Sequence, residues 1–207
     1  ADLTRFLAGG ADFSGVVFNK TNMTKCFLMK AKLEKQRFPG CNLLLTRFDE
    51  AALREADFSG QDLTQTGFAG ADLTAARFTG SRGKFALFIA CTAKGADFSA
   101  TDLTMANFSN AELSGANFQA ARLEKASFSD ANLGNCNFYR ADAPYTDFSR
   151  SVVAGADFSK SRLTRANFHG VQRRKALWSE ADTATILPTD PDLRAAETWT
   201  VPDRRKE

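Results

Sequence analysis

The chain has 207 residues, 43% hydrophobic and 25% charged, with 27 Lys and Arg against 24 Asp and Glu. The length admits one domain or a domain with an appendage, and the composition is ordinary for a soluble protein. The longest purely apolar run, Phe85 to Cys91, is far short of the ~20 residues that cross a bilayer. No basic-then-apolar signal peptide opens the chain, and four Cys do not make a disulfide scaffold, so a cytoplasmic protein is expected.

From the first residues the chain keeps a five-residue beat. Stepping by fives from Leu3 to Trp178 gives 36 pentapeptides without a slip in phase, and 30 of their centres are Leu, Phe, Met or Trp. Ala8, Gly83, Ala93, Ala143, Val153 and Arg173 are the exceptions. Two places before the centre, 31 of 36 residues are Ala, Ser, Thr or Cys. Two inward positions separated by two residues are a fragment of β-alternation, since residues i and i+2 share one face. The other three residues, mostly polar or Gly, must turn the chain. Each pentapeptide is therefore one short side plus a corner, and repeated sides stack as a coil with backbone hydrogen bonds ~4.8 Å apart.

From Leu33 onward the centres alternate Leu and Phe, a ten-residue super-period that four sides per coil explain. Stepping by twenty, one column runs Phe18, Phe38, Phe58 and onward through Phe158 to Trp178; the opposite column runs Leu28, then Phe48 through Phe168. The lapses pair across the coil as Gly83 with Ala93 and Ala143 with Val153. Unfilled volume there predicts local narrowing, a side chain turned inward or a small cavity.

The stretches "ADLTA", "ADFSG", "ANFSN" and "ANLGN" closely follow A-[D/N]-L-x-x. On these residues the chain, from Ala1 to about Glu180, resembles the pentapeptide repeat family. The resemblance implies an all-β solenoid, a right-handed quadrilateral β-helix, here of about nine coils and ~43 Å long. Residues 1–178 form this β-helix and 179–207 a C-terminal cap and tail.

At the C-terminus, Arg173 stands where Leu belongs and Trp178 can plug the Phe column. Asp190 is placed as an N-cap, with Pro191 at the first helical position and Asp192 in the first turn, predicting a short capping helix. Leu193, Ala196 and Trp199 are expected to fold back over the last coil. At the other end, Ala1-Asp2-Leu3 is already a half repeat with no cap before it. An additional domain upstream of residue 1 is expected. Long pentapeptide runs ending in a tail like "TDPDLRAAETW" are similar to C-terminal segments of bacterial proteins associated with type VI secretion.

Catalytic chemistry is not expected. Cys26, Cys41, Cys91 and Cys136 all take the small inward position on four different walls, so no two converge on a metal or a disulfide. His169, the single His, follows the centre Phe168 and is expected to point into solvent. Asp57, Asp97 and Asp157 read as turn residues bonding backbone. No Ser–His–Asp or Cys–His set, phosphate loop, cofactor site or small-molecule site emerges.

The reading is a non-catalytic scaffold for protein–protein interaction. The secretion resemblance implies an adaptor or accessory segment in the bacterial cytoplasm. The alternative is a DNA mimic that binds DNA gyrase, as some family members do to give quinolone resistance. A duplex carries a charge every ~1.7 Å, whereas residues 1–178 hold 23 Lys and Arg against 17 Asp and Glu. A positive rod imitates DNA poorly. Acids interleaved with bases and the lack of an aromatic–basic platform also argue against binding DNA directly.

Outward apolar residues mark the candidate interaction surface. On the wall of Leu43, Gly83, Leu103 and Ala143, the corner column carries Leu45, Phe85, Met105 and Tyr145, with Leu44 beside it. On the adjoining wall Leu7, Phe27, Met29, Leu87 and Ile89 point outward. Together they predict one strip, weighted toward the N-terminal half, for an upstream domain, a secretion cargo or a second copy of the rod.

Overall fold

In the computed structural model, which describes residues 1–198, each pentapeptide contributes one bridge residue and one two-residue turn. The bridges are parallel and join residues twenty apart, from Asp2↔Asn22 to Asn167↔Leu187. A constant offset of twenty with five residues per side means four sides per coil. Among the described residues the beat lapses once, around Val17 to Lys20, without changing the phase. We number the walls by their first centres: Leu3, Ala8, Phe13 and Phe18 open the first to fourth walls.

The local chemistry of one side explains its shape. Phe88 N–H donates to the Asn107 carbonyl (2.7 Å), and Asn107 N–H donates back to Ala86 (3.0 Å). At the corner, Ala86 N–H closes a tight turn onto Gly83 O (3.1 Å). The residue two places after each centre takes a left-handed backbone, as at Phe85 (φ 58°) and Gly80 (φ 66°). Sequence periodicity did not show this requirement. Asp57, Asp97 and Asp157 each accept the backbone N–H two residues on, from Ser59, Ser99 and Ser159 at 2.8–3.0 Å. They are turn residues.

The core is a column of rings between two Leu-rich walls. Along one wall the Phe rings stack, as with Phe88 and Phe108 at 4.5 Å and 1°. Across the rod they meet edge-on, as with Phe98 and Phe108 at 5.4 Å and 88°. Both geometries suit the quadrupole of the ring. Trp178 extends the column by stacking on Phe158 at 4.6 Å. At the Gly83 lapse a Cβ would lie 3.1 Å from Leu103 Cδ2, so a side chain from the next coil has moved into the vacated space.

Beyond the coils, helix α1 spans Pro191–Thr198. Asp190 caps it: its Oδ1 accepts the N–H groups of Asp192 (2.9 Å) and Leu193 (3.1 Å). Of the residues expected to fold back over the last coil, Leu193 is 50% exposed, and α1 is held by polar contacts. The Ala196 side chain and Trp199 lie outside the described residues. His169 is also corrected: it is buried rather than solvated, under the chain that leads into α1. Its Nδ1 accepts Asp190 N–H (3.1 Å) and its Nε2 faces Glu197 (3.2 Å).

Candidate protein-interaction surface

A left-handed backbone costs a non-glycine L-residue ~1–2 kcal/mol. Glycine relieves that cost, and ten positive-φ glycines occupy corners of this rod. All ten lie on the second, third and fourth walls. The first-wall corners, from Arg5 to Arg165 in steps of twenty, contain no Gly and no acid; every one carries a large side chain. Leu45, Phe85, Met105 and Tyr145 hold φ of 57–59° there. Neither turn chemistry nor core packing calls for a bulky apolar group at such a position.

Beside this column runs the outward row of the second wall. Phe27, Leu45, Phe85 and Leu87 come together along one groove of about 620 Å³, with Arg5 and Lys25 at its N-terminal end. Between its apolar ends lie Gln65 and Arg47. Gly67 makes the notch that Arg47 fills: a Cβ on Gly67 would meet Arg47 Nε at 2.5 Å. Arg47 is fixed there by the buried Asp49, with Nε–Oδ2 at 2.7 Å, and Asp49 Oδ1 accepts Ala69 N–H (3.0 Å). Behind the groove the inward Thr46 and Thr66 hydroxyls donate to Met23 O and Leu43 O, keeping the wall satisfied.

The remaining candidates do not line this groove. Leu7 stands 73% exposed on the first coil, and Leu44 and Met29 are exposed to either side. Ile89 is half-buried on the second wall. Met105 continues the corner column one coil past Phe85. Tyr145 lies two coils further on, with the Arg165 guanidinium 5.8 Å from its ring. The periodicity missed Arg5, Lys25, Arg47 and Gly67. The lack of Gly among the first-wall corners is the sequence signal that could have drawn Arg5 and Lys25 into the same column.

Charges elsewhere on the rod are largely paired between neighbouring coils, as in Arg82–Asp62 (3.0 Å), Arg150–Asp130 (2.8 Å) and Arg162–Asp142 (2.6 Å). Arg5 and Lys25 have no such pair among the described residues, as is also true of Lys20 and of Arg173, Arg174 and Lys175 at the far end of the rod. The four Cys are buried and unpaired, and burial pushes the Cys91 and Cys136 thiols up to about 12. Among the described residues no three His, Cys, Asp or Glu side chains converge as a metal site. No helix among them is long and apolar enough to cross a membrane.

The family profile of pentapeptide repeats matches in eight copies, over residues 1–34, 41–80, 85–119, 94–130 and 131–170. The chain belongs to the pentapeptide repeat family. Its four-sided coil is thus the right-handed quadrilateral β-helix of that family. Among solved structures the pentapeptide repeat rod is similar to HetL, a protein involved in heterocyst differentiation regulation from the cyanobacterium Nostoc sp. strain PCC 7120. The two are 24% identical over 90% of this chain and 92% of HetL, with a TM-score of 0.69. Trypsin-treated QnrB1, a plasmid-mediated fluoroquinolone resistance protein, is 20% identical over 92% of this chain and 93% of its own, at a TM-score of 0.43. A pentapeptide repeat protein of the Arabidopsis thaliana thylakoid lumen is 30% identical over 50% of this chain and 71% of its own, at a TM-score of 0.30. No curated protein matches the chain. At these identities the similarity describes the fold.

Proposed function

We propose that this pentapeptide repeat chain is a rigid, non-catalytic scaffold that holds a protein partner along the groove between its first and second walls. One observation carries the reading: every first-wall corner keeps a large side chain in a left-handed backbone that ten other corners give to Gly. Coil closure sets the left-handed backbone at every corner, but nothing in the fold asks for bulk along this one column, and bulk kept there at a backbone cost points to function. The rod of about nine coils presents that column as a fixed ruler. Parallel bonds between coils occupy the backbone groups of the walls, so the partner is recognised through side chains and not by strand addition.

The candidate surface keeps Leu7, Met29, Leu44, Ile89, Met105 and Tyr145 as flanks of the groove. An upstream domain, a secretion cargo or a second copy of the rod would each meet it. An adaptor role in bacterial type VI secretion, in the cytoplasm, draws on the "TDPDLRAAETW" tail. The excess of Lys and Arg weighs against the DNA-mimic alternative.

A photo-cross-linking residue at position 85 tests the scaffold reading, with position 75, the left-handed third-wall corner Ala75 (φ 57°), as control. In cells, cross-linking to protein from 85 and not from 75 is expected. Equal labelling from both positions, or none, would overturn the proposal. Protection of gyrase at stoichiometric concentration in a supercoiling assay would favour the mimic instead.

A further inference from the structure

Resting on the protein-binding reading above, we infer that the groove takes an acidic–apolar peptide segment, its carboxylates at Arg5 and Lys25 and its apolar side chains between Phe85 and Leu87. Both ends of the groove are apolar, with Phe27 and Leu45 at one and Phe85 and Leu87 at the other, but only the first also carries cations. Arg5 and Lys25 stack one coil apart in the corner column, both exposed and both without an ion pair among the described residues. Leu45 follows, then Gln65, then the apolar pair of Phe85, 46% exposed, and half-buried Leu87.

Arg47 contributes little net charge to a ligand, since Asp49 already holds its guanidinium through Nε and through the terminal nitrogen at 2.6 Å. It forms floor. With Arg47 neutralised, the groove is positive at one end only. The corner column from Arg5 to Arg165 has no acid to compensate that end. Two neighbouring cations without an ion pair, set beside an apolar groove, are complementary to a partner that carries carboxylates next to apolar side chains.

The dimensions select a segment and not a broad face. Five stacked corners, Arg5 to Phe85, span four coil steps of ~4.8 Å each, roughly 19 Å. Corner and second-wall rows are two residues apart along the chain, about 6–7 Å, wide enough for one row of side chains. That length suits about six extended residues or about three to four helical turns. A polyanion such as single-stranded nucleic acid would meet the two cations but find no ring stack matched to successive bases, because the groove's two rings, Phe27 and Phe85, lie three coils apart, roughly 14 Å.

Fluorescence anisotropy with synthetic labelled peptides tests this. The first probe carries Asp and Glu in one half and Leu and Phe in the other; the second replaces the acids by Asn and Gln; the third keeps the acids and replaces Leu and Phe by Ser. Binding of the first is expected about tenfold tighter than that of the other two, its margin over the second shrinking as salt rises. Arg5→Gln with Lys25→Gln should abolish the difference between the first and second probes. Gln already occupies the same corner at Gln65 (φ 57°), so the fold is preserved. Phe85→Gly, which suits the left-handed corner, should weaken the first and second peptides about tenfold.

The inference fails if the neutral peptide binds as well as the acidic one, if no peptide binds, or if an oligonucleotide of equal charge binds tighter. A cross-linked segment at position 85 that is neutral or basic would sink the inference alone and leave the scaffold reading standing. Absence of any cross-link specific to position 85 would remove the reading itself.

Discussion

His169 Nε2 lies 3.2 Å from a carboxylate oxygen of Glu197, 28 residues further along the chain. Asp190 N–H donates to the other ring nitrogen, which therefore carries no proton, so in the neutral ring Nε2–H donates to Glu197. One imidazole thus holds both ends of α1 to the second wall. Glu197 also pairs with Arg150 at 3.6 Å.

The first prediction follows from that contact. His169→Ala should release α1 without unfolding the coils, because each lost hydrogen bond contributes ~0.5–1.5 kcal/mol locally. Hydrogen exchange should accelerate roughly tenfold for amides 190–198 while those of the Phe columns keep their protection. Unchanged exchange in 190–198 would show that His169 does not hold the helix.

Gly83→Leu restores the residue type that the repeat prefers and is nevertheless expected to destabilise. Leu103 Cδ2 already sits 3.1 Å from where the first new carbon would be placed. Overpacking of this kind costs ~1–3 kcal/mol. A lower melting temperature than the parent is the expected result; a higher one would mean that the space was empty.

Cys91 and Cys136 should be silent to an aromatic disulfide reagent at pH 8. Burial pushes both thiols up to about 12, so almost no thiolate forms, and neither sulfur is accessible. Both should react at once in denaturant. Labelling of either in the native protein at the rate of a free thiol would contradict the buried columns.

Acid should unfold the rod late. Hydrogen bonds from Ser14, then from Lys32, hold Asp12 down at about 2. At Asp57, Asp97 and Asp102 burial is the largest influence and raises the pKa, but hydrogen bonds together outweigh it and the net shift is downward. A folded pKa below the unfolded ~3.9 gives stability that is fully present above that value and is lost as pH falls through the folded pKa. Melting temperatures should therefore hold steady down to about pH 5 and fall between about pH 4 and pH 2. A decline already complete above pH 5 would exclude the turn carboxylates as the cause.

The amino-acid order alone determined the coil. A small residue and a large one, two apart and repeated every five, admit one arrangement that buries both, and the Leu–Phe alternation counted its sides. It also placed the inward cysteines, the turn aspartates and the Asp190 cap, since each depends on position within one repeat or on local hydrogen bonding. The outward apolar residues were legible for the same reason. What they formed was not. Phe27 and Phe85 share a groove because coils three apart stack on one axis, and Arg47 fills the Gly67 notch because the buried Asp49 aims it there. The left-handed corners arise from closing four sides in twenty residues, a constraint of the whole coil that no single repeat displays. His169 likewise reads as exposed from its place in the repeat and is buried only because α1 returns across the wall, a contact between segments whose spacing carries no period.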